Sequence, residues 1–387
     1  MEPLLQPDAR IFKPLNIPEK ILMGPGPTNA SKVVRDACSL PMLGPVDKEL
    51  LQVMDDCKAG IQYLFQTENK YTFAVSGTGH AALECAIMNM VEVGDRILVA
   101  EHGVWGFRAA DMVKRVGGIP IKITRPPGEN FQLSDFEEGL KQNSAKMLFI
   151  AHSESSTGVI QPLEGLGDLC HKYNCLLLVD TVASIGGCPV YMDKQNIDIL
   201  YSGSQKVLSC PPGPAPISFG SRAVESFRAR KTPPVSFYFD FDHLTNYWGC
   251  TEDPVRYHHT GMMSNLYGFR EGLRILAQEG LGNCWNRHLK CAELFHSTLE
   301  TNGFELFVKN KSARLPTVTA IRIPKNVNFA EFKSHVLKNC NMDISGGLGP
   351  TAGLVFRVGL LGENCTTARV DMLANAMVKA LKFCLKK

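Results

Sequence analysis

The chain has 387 residues, 44% of them hydrophobic and 20% charged, with 41 basic against 38 acidic side chains and a net charge of +3. Without a basic block there is no electrostatic reason to expect nucleic acid or an anionic membrane as partner, and the longest apolar runs are strand length, too short to span a bilayer. Thirteen cysteines, an odd number without a CxxC pair, read as core filler in a reducing interior rather than as a disulfide scaffold. Residues 1–30 are Pro-rich, lack an apolar signal core and end in Gly24-Pro25-Gly26-Pro27. They read as an irregular arm whose glycines let backbone approach a ligand closely. A helical pattern runs through Leu50, Leu51, Met54, Ile61 and Leu64. Residues 71–75 read as a strand, followed by Ser76-Gly77-Thr78-Gly79-His80 and a helix from near Ala81. Residues 96–100 and 119–123 are further strands, with a helix to about Val116 between them. Ser134 and Glu137 have capping-box spacing at a helix start. Strands over 146–151, 175–180 and 197–202 follow, with a helical stretch at 163–173 and one more strand at 216–219. From about residue 283, helices at 284–301, 328–339 and 366–385 flank strands at 303–307, 317–323 and 354–359.

Short apolar strands alternating with helices predict an α/β fold, a mostly parallel sheet flanked by helices, with a smaller C-terminal α+β domain. The expected division is an arm at 1–30, a large domain at 31–282 and a small domain at 283–387. Ligands of such sheets sit at the carboxyl ends of the strands, where Ser76, Ser155, Asp180 and Lys206 all fall.

Asp180 closes one apolar run, and Lys206 comes 26 residues later, just past the next. A carboxylate and a lysine at neighbouring buried strand ends are costly unless a shared task needs both. Pyridoxal phosphate needs both: its aldehyde takes a lysine amine, and its ring nitrogen takes an anion. Lys206 would carry the resting Schiff base and, once displaced by a substrate amine, shuttle a proton between the substrate α-carbon and the cofactor. A free lysine titrates near ~10.4, and desolvation with a cationic neighbour would lower that. The plain alternative is a structural ion pair.

Ser76-Gly77-Thr78-Gly79-His80 opens a helix, whose free N–H groups seat a phosphate, with Ser76 or Thr78 hydroxyls as added donors. The same glycines, with Ala82 and with Glu101 24 residues after Gly77, also come close to a dinucleotide fingerprint. A nicotinamide dehydrogenase is therefore the rival reading, and it leaves Asp180 and Lys206 without a common task. Trp105, between Gly103 and Gly106, can stack on a flat ring or simply fill the core. Ser155, in a hydroxyl-rich loop, can bond the cofactor or cap a helix. Arg357 lies in an apolar strand, where a guanidinium must be paired. A substrate carboxylate would supply a bidentate partner worth ~1.5–3 kcal/mol, and a protein carboxylate is the alternative. His258 and His259, adjacent on an expected strand, would point to opposite faces, so no metal site is read. No GxSxG elbow marks a serine hydrolase, and a non-catalytic interaction protein would have no use for Lys206.

Together these residues resemble the class V, fold-type I pyridoxal phosphate aminotransferases, and within them the alanine–glyoxylate and serine–pyruvate family. The resemblance is carried, in order, by Gly24-Pro25-Gly26-Pro27, Ser76-Gly77-Thr78-Gly79-His80, Gly103-Val104-Trp105-Gly106, Ser153-Glu154-Ser155-Ser156-Thr157-Gly158, Val179-Asp180-Thr181-Val182-Ala183-Ser184, Ser202-Gly203-Ser204-Gln205-Lys206, Tyr257-His258-His259-Thr260 and the Arg357 strand. It implies Lys206 as the Schiff-base lysine, Asp180 as the ring-nitrogen partner and Trp105 stacked on the ring. Thr78, Gly79, His80 and Gln205 would bind the phosphate, with Ser155 beside the ring oxygen. It further implies a homodimer, in which Tyr257 and Thr260 reach the cofactor phosphate of the other subunit. Arg357 would hold the substrate carboxylate, with backbone near Gly26 closing over it. The expected activity moves the amino group of L-alanine, with L-serine a second donor, to glyoxylate. The alternative inside this chemistry is 3-hydroxykynurenine transamination, but Leu43-Gly44-Pro45 resembles the small-substrate branch. Cysteine desulfurases of the same family need a mobile-loop cysteine, for which no candidate stands out. Family resemblance implies a peroxisomal location, although Cys384-Leu385-Lys386-Lys387 is not a Ser-Lys-Leu type address; the cytoplasm is the alternative.

Overall fold

A computed structural model describes residues 4–386. Met1 to Pro3 and Lys387, on which the readings of the two termini partly rest, lie outside the described residues. Helix α1 (Lys48–Phe65) leads into β1 (Tyr71–Ser76), α2 (Gly79–Met90), β2 (Arg96–Glu101), α3 (Val104–Arg115), β3 (Ile119–Thr124) and α4 (Leu133–Asn143). Then come β4 (Met147–Ala151), β5 (Leu176–Asp180), β6 (Ile199–Tyr201) and β7 (Pro214–Phe219). These seven strands form one sheet in the order β1-β7-β6-β5-β4-β2-β3. Only β7 runs antiparallel to its neighbours. Every residue of β4, β5 and β7 is buried, because helices cover both faces. That is why β4 and β5 read as near-continuous apolar runs instead of alternating ones.

Helices α5 (Met263–Glu279) and α6 (Leu281–Thr301) connect to a second sheet, with β8 (Val318–Arg322), β9 (Ser345–Gly346) and β10 (Val355–Gly359) ordered β8-β10-β9. Phe332 and Val336 of α7 (Phe329–Cys340) and Val370 and Leu373 of α8 (Thr367–Leu385) share a core with Ile321, Phe356 and Val358 of this sheet. Two large apolar cores result. Leu281 and Cys284 of α6 belong to the core of the large sheet, while Cys291, Phe295 and Leu299 of the same helix belong to the other. In the arm, Ile21–Leu22 pairs in parallel with Met342–Asp343, and Met23 is buried in the second core. Residues such as Leu5, Phe12 and Leu15 are exposed. Among the described residues no helix is long and apolar enough to cross a membrane.

Two local expectations fail. Residues 303–307 are not a strand: only Leu306 bridges Ile321, while Phe304 and Leu306 point into the second core. Ser134 and Glu137 do not form the capping box. Asp135 does so instead, accepting the Gln132 N–H at 2.8 Å, and Glu137 is taken by Lys172 and Tyr173.

Candidate active site

At the carboxyl ends of the strands lies a solvent-open cavity. Eight expected residues line it: Thr78, Gly79, His80, Trp105, Ser155, Asp180, Gln205 and Lys206. Asp180 and Tyr201 end the paired strands β5 and β6 and sit opposite each other in register. The Tyr201 hydroxyl donates to Asp180 Oδ2 at 2.7 Å, and the Val182 N–H to Oδ1 at 2.8 Å. Burial still raises the Asp180 pKa to about 6, against those bonds and the pull of Lys206.

The loop after β6 is fixed by small hydroxyls. Ser202 Oγ donates to the Thr181 carbonyl at 3.1 Å and Ser204 Oγ to the Pro211 carbonyl at 2.7 Å. It delivers Lys206 into the cavity, where Nζ donates to the Pro25 carbonyl. Gly26 has φ +117, and a side chain there would run into Lys206 Nζ. Burial and the Arg357 charge push the lysine pKa down to about 8, with Asp180 opposing.

Helix α2 begins at the cavity wall with Thr78 as its cap, whose hydroxyl makes no capping bond. Ser76 is not available as a donor to a ligand, since its hydroxyl is bonded to His259 Nε2 at 2.7 Å. His80 Nε2 accepts from Arg108 at 2.8 Å, and that guanidinium lies 5.1 Å from the centre of the Trp105 ring. The indole N–H of Trp105 donates to Ser155 Oγ at 3.0 Å. Arg357, on β10 and 7% exposed, donates to the carbonyls of Gly346 at 2.9 Å and Ser155 at 3.0 Å. Among the described residues it makes no ion pair with a carboxylate, so the protein-carboxylate alternative falls. Glu101 is held by Lys122 at 2.8 Å and does not line the cavity, which removes the acid that the dinucleotide reading required.

Tyr257 and Thr260 are not brought to this cavity. They are exposed, with their hydroxyls 3.1 Å apart. Their segment is not a strand, and His258 and His259 do not diverge as expected: the two Nδ1 atoms are 2.8 Å apart. Leu43 and Gly44 do not line the cavity either.

The sequence profile of aminotransferase class-V matches residues 35–376. The chain is a class-V aminotransferase. It is 48% identical over 384 residues to alanine–glyoxylate aminotransferase of Callithrix jacchus, covering 99% of this chain and 93% of that protein. The Drosophila melanogaster protein of the same name is 43% identical, covering 97% of this chain and 96% of its own length. The crystal structure of alanine–glyoxylate aminotransferase from Nostoc sp. superposes with a TM-score of 0.94 at 42% identity, over 98% of this chain and 100% of the other. The enzyme is thus a pyridoxal phosphate-dependent transaminase of fold type I.

The cavity fits that cofactor. The Gln205 side-chain amide lines the cavity together with the uncapped N-terminus of α2, so its NH₂ group and the free helix N–H groups are the donors that a phosphate needs. A lysine and a carboxylate line the same cavity, beside an indole. Three contributors escaped the sequence reading. Tyr201 fell in an expected strand, Arg108 in an expected helix and Glu154 inside a quoted motif, and none was given a role. Only the neighbourhood of Asp180, His80 and Trp105 supplies one.

Proposed function

We propose that the enzyme moves the amino group of L-alanine to glyoxylate, giving pyruvate and glycine, with L-serine as a second donor. The observation that carries this is Arg357, a buried guanidinium without a carboxylate partner, whose charge is felt by Lys206. It suits a small substrate gripped by one carboxylate. The full-length likeness to proteins named for alanine and glyoxylate supports the same pair.

Pyridoxal phosphate supplies an aldehyde that takes up amino groups and a protonated ring that accepts electrons from the substrate α-carbon. Thr78, Gly79, His80 and Gln205 would hold its phosphate, Asp180 its ring nitrogen and Trp105 its ring face, with Ser155 beside the ring oxygen. Lys206 is the residue to which it would be attached. With its pKa near 8, the free amine of Lys206 is partly neutral at physiological pH and can take a proton from the substrate α-carbon and return it. Arg357 orients that carbon by fixing the carboxylate, and the backbone at Gly26 closes the site over Lys206. Trp105 and the arm exclude water.

A homodimer is part of this reading. The exposed apolar arm residues would find a cover in a second copy, and Tyr257 and Thr260, which do not meet their own cavity, would serve the cofactor phosphate of that copy. Sedimentation should give twice the chain mass. Steady-state rates with alanine, serine and 3-hydroxykynurenine against glyoxylate test the substrate, and a preference for the aromatic donor would overturn it. Borohydride reduction and peptide mapping should place the pyridoxyl group on Lys206.

A further inference from the structure

Helix α3 carries Trp105 in its first turn but starts at Gly103, which has no side chain to cap the open N–H groups. The cap comes from a distant turn. Ser156 Oγ accepts the Val104 N–H at 3.2 Å, and Glu154 Oε2 accepts the Trp105 N–H at 3.1 Å. The missing Cβ of Gly103 makes room for this, since a Cβ there would strike the Glu154 carboxyl group. The other carboxylate oxygen, Oε1, accepts from both the backbone N–H and the hydroxyl of Ser156. Glu154 is fully buried and, among the described residues, forms no ion pair. Burial holds its pKa up at about 7 against these bonds, with Asp180 adding like charge.

The same turn also holds what faces the substrate. Ser155 Oγ receives the Trp105 indole N–H, and the Ser155 carbonyl receives Arg357. The Ser156 carbonyl accepts from Thr351 Oγ1 at 2.7 Å, tying the turn to the segment just before β10. Indole and guanidinium are therefore registered against three consecutive residues.

We propose that Glu154 is a positioning residue for the transamination: its carboxylate seats Trp105 and, through the same turn, Arg357. The inference rests on the roles proposed above for those two residues. A carboxylate has two acceptor oxygens and an amide one. In Glu154→Gln, at unchanged volume, an NH₂ group must therefore face either the Trp105 N–H or the Ser156 donors.

The test uses holoenzyme. Glu154→Gln should keep the far-UV circular dichroism of the wild type. It should lose much of the visible dichroism of the bound cofactor, and kcat/KM for alanine should fall about tenfold. Glu154→Asp, which keeps the anion, should recover part of the visible signal. A residue that only stabilises the fold would lower the melting temperature and leave the visible signal unchanged; that result, or wild-type kcat/KM, overturns the proposal. If Glu154→Gln does not fold, Ser156→Ala takes its place, because it removes the Val104 cap and one donor to Glu154. It should shift the visible signal the same way by a smaller amount, and a wild-type signal there also overturns the inference. Failure of the broader reading looks different: the wild type would not transaminate alanine, or the pyridoxyl group would map away from Lys206.

Discussion

Replacing Arg357 with alanine isolates the recognition of the substrate carboxylate. A guanidinium has five N–H donors. Arg357 directs one at the Gly346 carbonyl and one at the Ser155 carbonyl, which leaves the outer edge of the fork open. Burial disfavours its charge, and Glu154 partly restores it. Its remaining N–H groups, with little competing water, would be free to take a substrate carboxylate in the proposed role. A hydrogen bond to a charged partner is worth ~1.5–3 kcal/mol, which is about 10- to 150-fold in binding. With both substrates varied, Arg357→Ala should raise the KM for alanine by that factor and change kcat much less. Arg357→Lys keeps the charge but not the planar fork and should recover only part of the loss. The alanine variant also strands two carbonyls, so cofactor absorbance and far-UV dichroism must first show a loaded, folded enzyme. An unchanged KM for alanine in that loaded variant would remove Arg357 from the role and refute the argument from its unpaired charge.

In the apoenzyme, a Lys206 pKa near 8 against an ordinary 10.5 means that the fold disfavours the cation. The unfolded chain then holds the extra proton between those values, so wild-type stability rises with pH across that window. Lys206→Met should be about 3 kcal/mol more stable than wild type at pH 7, with the gap closing by pH 10.5 in urea titrations; a constant gap would refute this. Tyr201→Phe removes a bond that lowers the Asp180 pKa, which should rise further above about 6. The acid limb of the pH dependence of cofactor affinity should move up by about one unit; an unmoved limb would show that the phenol does not matter. Gly26→Ala would place a methyl at φ +117 against Lys206 Nζ. Peptide mapping after reduction should show much less pyridoxyl on Lys206, and wild-type labelling would contradict the close approach.

Much of the sheet was legible because strands buried on both faces leave solid apolar runs. The ends of β7 were harder. Pro214 and Pro216 argue against an interior strand, yet both lie in one, and Pro216 still offers its carbonyl to the Ser202 N–H. Residues 303–307 misled for the opposite reason, since the alternating Phe304 and Leu306 fill a core without continuing a ladder. Eight residues of the cavity wall were named in advance from motifs at strand ends, Gly79, His80 and Gln205 as binders only through the family resemblance that the motifs carry together. Tyr201 and Glu154 were not, since their partners come from segments 21 and about 50 residues away in the chain. The pairing of Ile21–Leu22 with Met342–Asp343 spans almost the whole sequence and left no local trace.

Helix α6 contributes its first turn to one apolar core and its later turns to the other. It thus works as a shared axle. Neither half can melt without stripping partners from that rod, so calorimetry should record a single merged endotherm. Any shift of the small sheet against the large one must then carry this rod with it.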